Sequence, residues 1–294
     1  MKNDLCLSQV PATFKERTVS AVDVVGFYDR HPINEAAVLG AVARRRGGVE
    51  LPLRAEDLFD FDQDHYGGLP ALTVLARRAG VTAAARVLDV CAGLAGPARF
   101  LAWRYGCRVT ALELHPGRAA GAARLTRRVG LGGLVAVVRG DAAALPFARA
   151  SFDACLAQEG FLHVRAKARL LAECRRVLRP GGRLAFTDWI ARPRLADAER
   201  RRLEAWMAAT ALPSLDGYRT LLGAAGFHAV EAEDVSDEWR PILARRLETY
   251  RAMRGDLVAR WGPTGYEDFL GAYLFFVRLV EDGKLGGARL SGTA

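Results

Sequence analysis

The sequence predicts an α/β fold: a doubly wound, mostly parallel sheet of seven strands with an N-terminal helical lid and a C-terminal helical cap. Three observations carry this. From Arg86 to Trp189 short apolar runs alternate with helix-period segments. The run Arg86-Val87-Leu88-Asp89-Val90-Cys91-Ala92-Gly93-Leu94-Ala95-Gly96-Pro97 passes from apolar into small residues and reopens as a helix, the form of a nucleotide-type βα turn. On both sides of the alternating stretch the periodicity turns helical.

In chain order, helical spacing runs from about Val19 to Gly47 and breaks at Pro32, after which Asn34 is placed to cap a helix through Arg45. Leu58 to Gly68 then crowds Asp60, Asp62, Gln63, Asp64, His65 and Tyr66 ahead of the Gly67-Gly68 pair, and a helix resumes over Leu69 to Ala79. Phe59, Phe61 and Tyr66 disfavour solvent, so this loop is expected to fold inward as a cover, with His65 and Tyr66 facing what it covers.

Strands are predicted at Val87 to Val90, Val109 to Leu112, Leu134 to Arg139, Ala154 to Ala157 and Arg183 to Asp188, with helices at Gly96 to Arg104, Pro116 to Val129 and Lys167 to Leu178. This alternation implies a parallel sheet covered on both faces, with ligands at the carboxyl ends of its strands. Ala196 to Ala211 reads as a charged helix. Leu215 to Ala225 reads as a helix stopped by Gly226, followed by a strand at Ala229 to Val235. Pro241 to Arg260 and Tyr266 to Asp282 are helical and carry or flank many aromatics, and Leu285 to Thr293 is a final strand or a loose tail. Three layers follow: a lid segment (1–80), a ligand-binding core (81–190) and a cap that supplies the last strands (191–294).

At 51% hydrophobic and 26% charged residues, a chain of this length buries a full core, and no apolar run reaches a membrane-spanning length. The start carries Lys2, Asn3 and Asp4 and only a brief apolar patch, so a cytoplasmic location without membrane association is expected. Five cysteines (Cys6, Cys91, Cys107, Cys155, Cys174) lack metal-ligand spacing and read as free thiols, with no metal implied. The +9 charge comes from scattered arginines and only four lysines, with no nucleic-acid-reading module, so no specific nucleic-acid partner is expected.

Asp89 decides the chemistry of the turn. A carboxylate at that strand end repels phosphate and attracts an ammonium or a sulfonium, the two cations of S-adenosylmethionine (SAM). Glu113 ends the second strand, where an acid accepts from ribose hydroxyls. After the third strand, Asp141 can accept from an adenine amine and the Ala142 amide can donate to a ring nitrogen, with Leu114 and Leu145 on the faces of the ring. Gln158 and Glu159 leave the fourth strand beside the first, toward the reacting atoms. His163 fits a packed core histidine as well as a participant.

These residues resemble the class I SAM-dependent methyltransferases from about Asp62 to Trp189: the Asp89 turn, Glu113, Gly140-Asp141, Phe152-Asp153 and Arg179-Pro180-Gly181-Gly182. Asp62 to Gly68, Gly93 to Arg99 and Phe186-Thr187-Asp188-Trp189 are similar to the branch of glycine, sarcosine and dimethylglycine N-methyltransferases. The resemblance implies a Rossmann-like core and SAM as cofactor, held by Asp89, Cys91, Gly93, Ala95, Glu113, Leu114, Asp141, Ala142 and Gln158. It also implies methyl transfer to a small-molecule acceptor in a monomer or homodimer, with His65, Tyr66, Gln158, Glu159 and Trp189 at the reaction centre.

An amine acceptor needs no strong base, whereas a hydroxyl or carbon acid does, for which His65 ranks first and Glu159 second. O- or C-methylation of a secondary metabolite, or SAM binding without catalysis, are the alternatives. The sequence departs from the family turn Asp-x-Gly-x-Gly-x-Gly, since Cys91 and Ala95 replace its first and third glycines. Each adds a Cβ where the cofactor is expected.

Overall fold

A computed structural model describes residues 24–48 and 52–294; Cys6, the charged start and the first residues of the helix expected from Val19 lie outside them. The seven strands form one sheet. β1 (Arg86–Val90) pairs in parallel with β2 (Arg108–Glu113) on one side and with β4 (Phe152–Gln158) on the other. Beyond β2 lies β3 (Val135–Arg139), and beyond β4 come β5 (Leu178–Ala191), β7 (Leu285–Thr293) and β6 (His228–Asp234), giving the order β3-β2-β1-β4-β5-β7-β6. The chain winds one way through β2 and β3 and the other way through β4 and β5. The crevice between β1 and β4 is therefore the switch point where such sheets bind ligands.

β7 runs antiparallel between β5 and β6 and is buried almost throughout, so the last residues are a strand and not a tail. Its small residues are steric requirements: a Cβ on Gly287 would lie 2.4 Å from the Trp239 indole, and one on Gly286 would lie 2.1 Å from the Ser236 hydroxyl.

The cap helices break elsewhere than the sequence predicts. α7 (Asp197–Met207) stops four residues early because Ala208 turns left-handed, with φ 51°. α9 (Ser236–Ala252) begins before Pro241, which is absorbed in its second turn. α10 (Arg254–Glu281) runs on through Pro263 with a kink at Gly262. Between these helices and the sheet, Trp189 stacks on Phe276 at 4.0 Å and Tyr66 packs edge-on to Trp239 at 4.7 Å.

At the strand ends lies α1 (Val24–Asp29), and α2 (Glu35–Arg46) packs against the helix of residues 116–128, starting where the Asn34 side chain accepts from the Ala37 amide. The loop that follows leads into α3 (Gly68–Arg78) and is fixed from below. Arg99, on α4 (Gly96–Tyr105), is wholly buried and donates from Nη2 and Nε to Asp62 Oδ2 at 2.8 and 3.2 Å.

Candidate active site

A cavity of about 380 Å³ opens at the carboxyl ends of β1, β2 and β4, with Tyr28 of α1, Asp64 and His65 forming part of its wall. Its floor is the turn after β1. Cys91, Gly93 and Ala95 have φ of 60°, 57° and 59°, so two residues with side chains hold the left-handed conformation that glycine adopts freely. Gly93 has a second constraint, because a Cβ there would lie 2.7 Å from Arg118 Nη2. Cys91 lines the cavity, whereas Ala95 is buried beneath it as the residue before α4 and does not face it.

The acids expected to hold a nucleoside line the cavity, with partners that the sequence does not reveal. Asp89 is buried, its Oδ2 has no partner, and burial pushes its carboxyl up to about 7. Glu113 accepts from the Gly93 amide at one oxygen and from the His115 amide at the other, both at 2.8 Å. It thus shapes the turn and keeps one lone pair on each oxygen for a ligand. Asp141 accepts from the Ala143 amide at 2.8 Å beside a buried Ala142, and Leu114 stands 42% exposed at the rim. Leu145 is not opposite it; that side chain is in the core between sheet and helix.

At the end of β4 the expected residues divide into two groups. Gln158, Glu159 and His65 line the cavity. The ring of His65 is bonded on both sides, Nδ1 accepting from Gln158 Nε2 at 2.9 Å and Nε2 donating to Gln63 Oε1 at 2.8 Å, and burial holds its pKa down near about 4. His65 is therefore neutral and engaged at both ring nitrogens, which argues against it, and for Glu159, as the base.

Glu159 has the opposite properties. Burial raises its carboxyl to about 7, Oε2 accepts from the Tyr66 amide at 2.7 Å, and Oε1 has no partner. The Gln158 Oε1 is likewise buried without a partner, and the backbone at Glu159 is left-handed, with φ 44°. Tyr66 and Trp189, placed at the reaction centre by the sequence reading, turn their rings into the cap core instead.

Several wall residues escape sequence reasoning. Tyr28 Oη and His163 Nε2 are 2.7 Å apart, and His163 Nδ1 lies 3.0 Å from the Ala208 carbonyl. That carbonyl can only accept, so His163 carries its proton on Nδ1 and accepts from the Tyr28 hydroxyl. Arg118, on α5 (Pro116–Arg128), lies 4.6 Å over the Tyr28 ring and donates to Asp64 Oδ2 at 2.9 Å and to the Ile33 carbonyl. Arg246 of α9 donates to the carbonyls of Asp64 and His65. These contacts join residues 45 to 182 positions apart, and no spacing rule reaches that far.

Residues 88–186 match the methyltransferase domain family. The 27-O-demethylrifamycin SV methyltransferase of Amycolatopsis mediterranei is 32% identical over 205 residues, 68% of this chain and 74% of that protein. This chain belongs to the SAM-dependent methyltransferases. The glycine/sarcosine/dimethylglycine N-methyltransferase of Actinopolyspora halophila is 33% identical over 184 residues, 62% of this chain and 32% of that protein. For that and two other curated relatives, the match spans only 32% to 61% of the relative's length. In fold, the chain resembles Haemonchus contortus phosphoethanolamine N-methyltransferase 2 in complex with SAM, with a TM-score of 0.73 at 18% identity over 92% of this chain and 60% of that one.

The cavity fits the family's cofactor. The unpartnered Asp89 Oδ2 is a buried acceptor in need of a cationic or N–H partner, Glu113 has free lone pairs for hydroxyls, and Leu114 exposes an apolar face beside the Asp141–Ala142 edge. Among the described residues no helix is long and apolar enough to cross a membrane.

Proposed function

We propose that the protein transfers a methyl group from SAM to the nitrogen of a small-molecule amine, with Gln158 and Glu159 holding that nitrogen. The observation that carries this reading is the adjacent pair of buried oxygens, Gln158 Oε1 and Glu159 Oε1, which make no hydrogen bond within the described residues, the Thr187 hydroxyl lying beside the Glu159 carboxyl. A buried acceptor left unpaired costs about 1–3 kcal/mol, which donors on the acceptor molecule would recover. An amine or ammonium brings two or three N–H groups and serves both oxygens. A hydroxyl brings one and leaves the other orphaned.

SAM supplies an electrophilic methyl group, and the chain's contribution is to align a nucleophile with it and to exclude water. Asp89 supports the cationic end of the cofactor and Glu113 its hydroxyls. Glu159, with its carboxyl near neutrality, accepts the proton an ammonium must lose before its lone pair is available. His65, locked by Gln63 and Gln158, orients the Gln158 amide so that its oxygen faces the acceptor. Tyr28 and His163 wall the chamber with a fixed, uncharged pair.

The test uses the full chain with methyl-labelled SAM and matched amines and alcohols. N-methyl products are expected. Products labelled only on oxygen or carbon would favour the chemistry suggested by the names of other relatives, among them a sterol 24-C-methyltransferase.

A further inference from the structure

A second cavity, of about 690 Å³, lies behind the lid loop, between α2 and the cap helices α9 and α10. It shares no wall residue with the first. Its lining is largely apolar, with Ile33, Phe61, Ile242 and Leu257 among its surfaces, yet besides the half-buried Arg246, which is engaged by the lid-loop carbonyls, its edge carries three further arginines, Arg44, Arg245 and Arg260. All three are exposed and, among the described residues, none has a carboxylate partner. Of the two acids on the lining, Asp60 is taken by Arg45, which leaves Asp256 alone against three guanidiniums.

Exposed arginines usually find acids or sit apart from one another. Three around one apolar basin complement a molecule with a hydrocarbon body and an anionic head. We infer that this cavity is a second ligand site, for an amphipathic anion such as a fatty carboxylate, distinct from the cofactor cavity. The site also has a route to the reaction chamber. Gln63 lines it, and the Oε1 of that side chain receives the hydrogen bond from His65, whose other nitrogen holds Gln158. An occupant that moves Gln63 therefore moves a residue that faces the acceptor. The inference rests on the cavity and its charges and stands whether or not the acceptor is an amine.

Isothermal titration of the full chain with dodecanoate tests it, using dodecyl maltoside as an uncharged control. Saturable binding of one dodecanoate per chain is expected, unchanged when S-adenosylhomocysteine saturates the cofactor cavity, with no comparable binding of the maltoside. The double variant Arg245→Glu/Arg260→Glu, whose side chains are on the surface, should weaken dodecanoate binding at least about tenfold while S-adenosylhomocysteine affinity stays within about twofold. Circular dichroism confirms that the variant is folded. Absence of saturable binding, displacement by S-adenosylhomocysteine, equal binding of the maltoside, or indifference to the double charge reversal would each overturn the inference. The source of the anion follows from kinetics: competition between dodecanoate and the methyl acceptor marks the site as holding the acceptor's own tail, and a non-competitive change in turnover marks a separate effector.

Discussion

The guanidinium of Arg99 meets the carboxylate of Asp62 at 2.8 Å with neither side chain exposed to solvent. The remaining Arg99 nitrogen donates to Thr126 Oγ1 and to the Ala122 carbonyl, so the charge is fully satisfied within the protein. Asp62, midway along the lid loop, is thereby tied to the helix that follows the cofactor turn. Any opening must come from the segment beyond it, up to Gly67 and Gly68 with their φ of 83° and 55°. Asp62→Ala leaves a buried arginine uncompensated and should destabilise the fold by about 3–5 kcal/mol in urea denaturation. A loss of under about 1 kcal/mol would mean that water reaches Arg99.

Cys91 and Gly160 press on each other: a Cβ on Gly160 would lie 2.5 Å from the Cys91 Cβ. Gly160→Ala should lower the melting temperature, and adding Cys91→Gly should restore it, because the clash disappears and a left-handed residue loses its side chain. Relief of that backbone strain is worth about 1–2 kcal/mol. Cys91→Gly alone should preserve or tighten S-adenosylhomocysteine binding by calorimetry. Clear weakening would make the thiol a tuned cofactor contact.

Much of this architecture was legible from the chain because its signals are local. Strand alternation, the Asn34 cap and the acids Asp89, Glu113 and Asp141 at successive strand ends are each readable from a few neighbouring residues. The contacts that close the site are not local. Arg99 looks like one more surface arginine on a short helix until Asp62, 37 positions earlier, folds over it. Tyr28 and His163 are 135 positions apart, and neither stretch announces their contact. Tyr66 and Trp189 were assigned to the reaction centre because their neighbours His65 and Asp188 belong to recognisable stretches. Backbone direction then turned both rings toward Trp239 and Phe276, where aromatic area is buried. The small residues of β7 left a strand and a tail both open, because nothing in them signals the indole that demands them.

Glu113 accepts from two backbone amides and still has lone pairs for a ligand. Glu113→Ala should therefore weaken S-adenosylhomocysteine binding about tenfold to a hundredfold in calorimetric titration, from the lost acceptor and from release of the Gly93 amide. An unchanged dissociation constant would remove Glu113 from the site.

Burial raises Glu159 from an ordinary carboxylate range to about 7. A raised acid binds its proton more tightly folded than unfolded. Its contribution to stability is present below the unfolded value and is lost as pH rises through the folded one. Glu159→Gln should therefore be more stable than the wild type at pH 8, by up to about 3 kcal/mol, and close to it at pH 5, as measured by urea denaturation at both values. Equal curves at both values would show that the carboxyl titrates normally.

His65, already neutral, should behave as an orienting group. His65→Ala should lower turnover far more than cofactor affinity, and His65→Asn, which can still bond to Gln63 or Gln158, should recover part of the loss. The acid limb of the rate profile should stay where it is in both variants. Its disappearance would restore His65 to the role of base.

The most direct measurement is the single-turnover rate of methyl transfer to an amine basic enough to stay protonated across the range, followed from pH 5 to 9 in the wild type and in Glu159→Gln at saturating SAM and amine. With such an acceptor the amine does not titrate, so an acid limb reports the protein. The account predicts an N-methyl product, a wild-type rate that rises with pH through about 7 as Glu159 ionises, and a variant that loses both this limb and most of the rate while S-adenosylhomocysteine affinity stays within about twofold. A variant that transfers methyl at the wild-type rate with the same profile, or a product methylated only on oxygen or carbon, would contradict it.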